Sequence, residues 1–215
     1  DYLVEKVKAR KHSVILGVNI GKNATTAIED AVEDYLICLR KVYPFADYVT
    51  ANISSPNTKN LRDLQSGDAL LDLLRALKSE QVKLEAEYQR YVPIAVKVAP
   101  DLSDEQITSL AKAFLEFKVD AVIATNTSVS RAGCVKEKNL EQQGGLSGQP
   151  IFEKSNNVLH AFKKQLKDQI PLIGVGGISN KDDARQRYEA GATLLQVYSS
   201  FIYQGPPLIK ELLNA

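Results

Sequence analysis

The sequence predicts an α/β fold built on a parallel sheet. Three observations carry the prediction: six short apolar runs rich in β-branched residues, helical patterns between them, and polar residues gathered just past the carboxyl ends of the runs. Runs that are apolar throughout suit strands buried on both faces, as in a parallel sheet covered by helices.

Residues 13–18 form the first expected strand. The helix expected next carries Ile28, Ala31, Val32, Tyr35, Leu36 and Leu39 at helical spacing, behind a capping box of Thr26 and Glu29. Residues 48–53 and 94–99 are the second and third strands. Ser103 with Gln106 repeats the capping device before Ile107, Leu110, Ala111 and Phe114. Residues 121–125, 172–175 and 194–198 complete the set, with a helix expected to start near Asn180. This alternation implies right-handed β-α-β units, closed into a (β/α)₈ barrel or open as a doubly wound sheet. A barrel has eight strands in about 250 residues. Six strands in 215 residues therefore leave two unaccounted for on the amino-terminal side if a barrel is correct. With no short repeat, low-complexity segment or Pro/Gly/Ser linker, residues 1–215 are expected to form one domain.

Composition narrows the partners. Lysine plus arginine at 27 against aspartate plus glutamate at 26 leaves a net charge of +1, which gives no broad attraction to nucleic acid or an anionic membrane. Any anion must be held locally. Two cysteines, Cys38 and Cys134, form no disulfide framework, which favours a reducing compartment. No apolar run approaches the roughly 18 residues that span a bilayer, and the first residues do not resemble a signal peptide. The sequence contains no methionine, an indication of a start inside a longer gene product. No metal site is assigned.

Past the strand ends stand Asn19, residues 52–58, Thr125-Asn126-Thr127, and Gly174-Val175-Gly176-Gly177. That edge is the catalytic face of parallel α/β folds. Lys97 is the sharpest single residue, because period-two alternation puts it on the side of small Ala95 and Ala99. A lysine there either reaches to water or serves a ligand anion, a carbanionic intermediate or a Schiff base. The Gly174–Gly177 segment is a tight turn or, with the amino-terminus of the following helix, a phosphate site. The next strand closes with Gln196-Val197-Tyr198-Ser199, and barrels build phosphate sites from their last two loops. Residues 128–143 are longer than a connector needs and are read as a water-excluding lid in preference to a disordered insertion. Cys134 within it is expected to be incidentally exposed, and His12 and His160 to be surface residues.

Asn52-Ile53-Ser54-Ser55-Pro56-Asn57-Thr58 followed by Leu61-Arg62, together with Val96-Lys97-Val98-Ala99-Pro100-Asp101-Leu102, resembles the dihydroorotate dehydrogenase family. The similarity continues through Ile123–Thr127, Gly144–Gly148, Ile173–Ile178 and Gly205–Leu208, in order and across the whole chain. The resemblance implies a (β/α)₈ barrel, of which these are the third to eighth strands. It implies FMN, contacted by Asn19, Asn52, Lys97, Thr125, Ser147, Gly148, Gly176, Gly177, Tyr198 and Ser199. It implies a pyrimidine substrate, dihydroorotate, held by Asn52, Asn57, Asn126 and Thr127.

Family members use cysteine or serine as base, the serine type being the quinone-linked class 2, and Ser55 matches that serine. The expected reaction is proton removal from carbon-5 by Ser55 with hydride transfer from carbon-6 to the flavin, which a quinone reoxidises. A hydroxyl is a poor base, and a relay through Thr58 and a water is one expected remedy. Lys59-Asn60 replaces the Pro-Gly of many relatives, and Asn60 is expected to keep the loop by tolerating a left-handed backbone. The resemblance further implies an amino-terminal part with two more strands, another substrate-binding lysine and helices that dock on the membrane at its cytoplasmic face. Without that part this chain is expected to be inactive. The rival readings are a Schiff-base lyase or isomerase centred on Lys97, and a nucleotide-binding module that needs neither Lys97 nor Ser55.

Overall fold

The computed structural model describes residues 1–11, 13–132, 134 and 141–215. His12 and residues 133 and 135–140 of the expected lid lie outside the described residues. Six strands, β1 (Gly17–Ile20), β2 (Tyr48–Asn52), β3 (Ile94–Val98), β4 (Ala121–Ala124), β5 (Leu172–Val175) and β6 (Leu194–Gln196), form one sheet. Helices α2 (Ala31–Val42), α3 (Gly67–Tyr88), α4 (Asp104–Glu116), α5 (Phe152–Leu166) and α6 (Lys181–Glu189) connect them in turn. The short α1 (Tyr2–Lys8) precedes β1, and α7 (Ser199–Gln204) and α8 (Pro207–Leu212) follow β6.

Every strand pairs in parallel with the next in sequence, in the order β1-β2-β3-β4-β5-β6. A doubly wound sheet must reverse its strand order somewhere, so as to place helices on both faces. Here there is no reversal. Right-handed crossovers then put all the helices on one side, which is the wall of a barrel.

The two faces differ accordingly. Val96, Val98, Val122, Ala124 and Leu172 join Leu73, Leu74, Leu110, Phe114 and Phe162 of the helices in one large core. On the opposite face, Ala95, Ile123, Ile173 and Val175 make a separate small cluster, the filling of the barrel interior. In α3 the buried residues Leu70, Leu73, Leu74, Leu77, Gln81 and Leu84 recur at helical spacing. Each leucine fully buried in that stripe contributes roughly 2 kcal/mol.

Several local expectations change. The first strand starts at Gly17, not residue 13, because pairing with β2 begins at Gly17 opposite Tyr48. The Leu16 amide donates to the Asp47 carboxylate at 2.7 Å, and Val14 and Ile15 are left 68% and 81% exposed. Apolar content overstated the strand because the partner's register sets its start. The Thr26–Glu29 capping box is absent: α2 begins at Ala31, and the Thr26 carbonyl accepts instead from the buried Lys22 ammonium. By contrast, the Ser103–Gln106 box forms in both directions, at 2.9 and 3.3 Å. Asn60 takes the left-handed conformation, with φ 58°.

Candidate active site

The carboxyl ends of β3 to β6 surround a cavity of about 430 Å³, within the usual size for a small-molecule site. Lys97, Thr125, Asn126, Thr127, Ser147, Gly148, Gly176, Gly177, Tyr198 and Ser199 line it, all named above from the sequence. Gln196, Val197 and Ser200 line it as well.

Lys97 sits in β3 opposite Asn52 of β2 and Ile123 of β4, on the barrel-interior face. No carboxylate pairs with it among the described residues, and burial pushes its ammonium below the usual lysine range. Among the described residues no acidic side chain neutralises the positive charge it offers the cavity.

Beside Lys97 lies a cluster of neutral polar groups. The Ser54 hydroxyl is fully buried and donates to the Lys97 carbonyl at 2.7 Å. The Asn126 side-chain amide donates to Asn52 Oδ1 and to Ser54 Oγ, both at 3.1 Å. The Asn126 carbonyl oxygen in turn accepts from the Thr127 amide at 2.8 Å. These bonds fix which edge of each carboxamide faces outward, as recognition of a flat heterocycle requires.

Ser55 lies next to this cluster, half-buried, and its Oγ accepts from the Asn57 amide at 3.2 Å. No hydrogen bond joins Thr58 to Ser55 in the structure. Asn57 is exposed and borders a second, more open hollow with Pro56, Val129, Gln143 and Gly144. Asn19 lies inside β1 rather than past its end. It stands opposite Thr50, which pairs with Ala95, so it faces the barrel interior one layer below Lys97 and outside the cavity lining.

The far end of the cavity is backbone. Gly176 and Gly177 have φ of 115° and 77°. A Cβ at Gly176 would meet Ser155 Oγ at 2.9 Å, and one at Gly177 would meet the Phe152 Cα at 2.9 Å, so side chains are excluded here. The helix expected to aid an anion at this turn does not do so. In α6 the Asp183 amide is capped by Asn180 at 2.9 Å, the Lys181 amide by Glu211 at 3.1 Å, and Asp183 itself binds the Ser179 amide. The start of α7, at Tyr198 and Ser199, borders the cavity in its place, and the Ser199 and Ser147 hydroxyls meet at 3.0 Å.

Two supports were not legible as functional in the sequence. Arg187 of α6 is fully buried behind the glycine turn, where it donates to Gly176 O at 2.6 Å and Ser155 Oγ at 2.9 Å and stacks on Phe152. Burial pushes its guanidinium down to about 10, still a cation at neutral pH. The available signal was Gly174: a Cβ there would collide with the Arg187 stem at 2.5 Å. The second support is Asp101, on which Arg62, Lys154, the Ser128 hydroxyl and the Val129 amide converge. Burial alone would raise the Asp101 carboxyl, but these donors outweigh it and hold it at about 2. Arg62 also binds Ser54 O at 3.2 Å and Thr127 O at 2.8 Å, tying the loops after β2 and β4 together.

The lid reading is tested only at its ends, where Ser128 and Leu146 exchange backbone hydrogen bonds of 3.0 and 2.7 Å. Cys134 is buried, at 5% exposure, which corrects the expectation that it is exposed; its amide is tied back to Arg131. His160 lies on the exposed face of α5, as expected. Among the described residues no helix is long and apolar enough to cross a membrane.

A barrel wall with a glycine turn at one end of a cavity, and a lysine beside fixed amides at the other, defines the class of β/α-barrel proteins that carry a small-molecule cavity at the carboxyl face of the sheet. The family model described as dihydroorotate dehydrogenase matches residues 1–215, and the chain belongs to that family. Over all 215 residues it is 57% identical to the dihydroorotate dehydrogenase (quinone) of Acinetobacter baylyi, and over 212 residues 56% identical to that of Actinobacillus pleuropneumoniae. It covers 64% and 63% of those proteins, so the chain spans somewhat less than two thirds of the curated relatives it matches. Among solved structures, the Eimeria tenella enzyme in complex with ferulenol superposes on 99% of the chain with a TM-score of 0.88 at 35% identity, the chain covering 60% of it. The ligand-free form gives 0.87 at 36%, over 98% of this chain and 63% of that one.

Proposed function

We propose that the chain supplies most of the active site of a class 2, quinone-linked dihydroorotate dehydrogenase, which oxidises (S)-dihydroorotate to orotate in pyrimidine biosynthesis. The observation that carries the reading is a single cavity with an uncompensated lysine among fixed carboxamides at one end and a glycine turn at the other. The residues fit FMN. The turn at Gly176 and Gly177, with Tyr198 and Ser199, suits a phosphate, and Thr125, Ser147, Gly148 and Asn52 stand along the path to Lys97. Asn19, one layer below, completes the proposed flavin contacts.

Thr125, Ser147, Gly148, Gly176, Gly177, Tyr198 and Ser199 would hold FMN, which when bound would supply a hydride acceptor for carbon-6 of the substrate and a route for the electrons to a quinone. Ser55 removes the proton from carbon-5 while its own hydroxyl proton passes to water, and the Asn57 amide on its Oγ favours the alkoxide character that makes the oxygen a base. Lys97 stabilises negative charge developing across the ring system, and Asn52, Asn57, Asn126 and Thr127 orient the pyrimidine and its carboxylate. Residues 1–215 act as one FMN-binding barrel domain. A further amino-terminal part completes the barrel and attaches the enzyme, as a peripheral protein, to the cytoplasmic face of the membrane where its quinone resides.

The test is the visible spectrum of the full-length protein before and after anaerobic dihydroorotate. A yellow sample that bleaches supports the reading. A colourless sample that borohydride inactivates in the presence of a carbonyl substrate would move the chemistry to a Schiff base on Lys97.

A further inference from the structure

Behind the glycine turn lies a buried cation without an ion-pair partner among the described residues. Arg187 is 0% exposed, and among the described residues no carboxylate forms an ion pair with it. Its Nη1 and Nη2 bind neutral oxygens of Ser155 and Gly176, and its Nε has no partner at all. Asp183 and Glu153 act on it only through space, and the Asp183 carboxylate is occupied by the Ser179 amide and hydroxyl. A buried charge without compensation is strongly disfavoured, and an apolar side chain of similar volume would cost less.

The carbonyl that Arg187 grips belongs to the Gly176–Gly177 peptide, whose opposite pole is the Gly177 N–H. A cation on the carbonyl polarises that peptide and strengthens its N–H as a donor. Both glycines line the cavity and Arg187 does not. Neither glycine amide donates to a backbone carbonyl among the described residues.

We propose that Arg187 is the counter-ion of a phosphate monoester held at the Gly176–Gly177 turn, acting through the peptide between them without touching the ligand. The inference rests on reading the cavity as a flavin mononucleotide site, and it adds a selectivity: the arginine favours the phosphorylated flavin over the same ring system without phosphate.

The experiment compares FMN with riboflavin, which lacks the phosphate, by fluorescence titration of the full-length protein stripped of flavin. In Arg187→Met and Arg187→Gln, FMN affinity should fall about tenfold while riboflavin affinity changes by less than about twofold. Arg187→Lys should keep the preference for FMN. Met fills the stem's volume without donors and Gln keeps neutral donors with less volume, so one folded neutral variant, checked by circular dichroism, suffices. An equal loss of both flavins would make Arg187 a scaffold residue and overturn the proposal, as would FMN binding unchanged in either variant. A natural protein that binds neither flavin would overturn the cavity reading first, and this inference with it.

Discussion

The two ends of the cavity are built on opposite plans. Around β5 and β6 the wall is main chain: glycines in conformations closed to other residues, two serine hydroxyls, and one arginine that reaches the site only through a peptide. Around β3 and β4 it is side chain: Lys97, Asn126 and Thr127 line it, Asn126 is locked to Asn52 and Ser54 behind them, and Arg62 and Asp101 clamp the loops that carry them. Main chain suits a ligand part that is always the same, since shape and peptide dipoles suffice to hold it. Side chains suit the part that reacts, where proton positions and charge must be set individually. Damage at the first end should therefore cost occupancy, and damage at the second should cost rate.

The largest expected effect is at the reactive end. Ser55→Ala in the full-length protein should slow flavin reduction by dihydroorotate on the order of 10² to 10⁴-fold while flavin content is unchanged. Stopped-flow absorbance decides it, and a rate within tenfold of the natural protein would assign the base elsewhere. At the other end, Gly177→Ala places a methyl 2.7 Å from Phe152 Cβ at a φ of 77°. That strain, about 1–3 kcal/mol, should weaken flavin binding roughly ten- to hundredfold, read as flavin lost on dialysis, while the loaded fraction reduces at the natural rate. If the loaded fraction also slowed, the division between the two ends would fail.

The smallest effect concerns the clamp. The Asp101 carboxyl lies at about 2 in the folded protein against an ordinary 3.8, so its stabilisation is present above pH 3.8 and is lost as the pH falls from there towards 2. Asp101→Asn should cost about 2 kcal/mol at neutral pH, with the denaturation curves of variant and natural protein converging in that acid range. Curves that stay parallel would mean the clamp holds geometry without contributing through its charge.

The sheet was readable because each strand is a contiguous apolar run, and the reactive side chains because polar residues at strand ends stand out against such runs. What escaped was set by partners distant in sequence. The start of β1 depends on Tyr48 and Asp47, which no inspection of residues 13–18 supplies. Thr26 and Glu29 have the composition of a cap, yet the loop turns to satisfy the Lys22 ammonium, whereas Ser103 and Gln106 have no competing donor and form their box. Arg187 sits in a polar helix beside Arg185, which is exposed; only tertiary packing distinguishes the two. The choice between barrel and doubly wound sheet turned on strand order, which a list of strands does not contain.

That strand order also has a temporal side. Because each strand pairs with its predecessor in the chain, a ribosome can deliver the sheet one strand at a time, every new element finding its neighbour already in place. The cavity wall runs from Lys97 to Ser200, so its last side arrives only after all six strands have been made. Ligand capture therefore follows assembly of the sheet: a ligand meets a wall whose strands are already paired and cannot template the early ones.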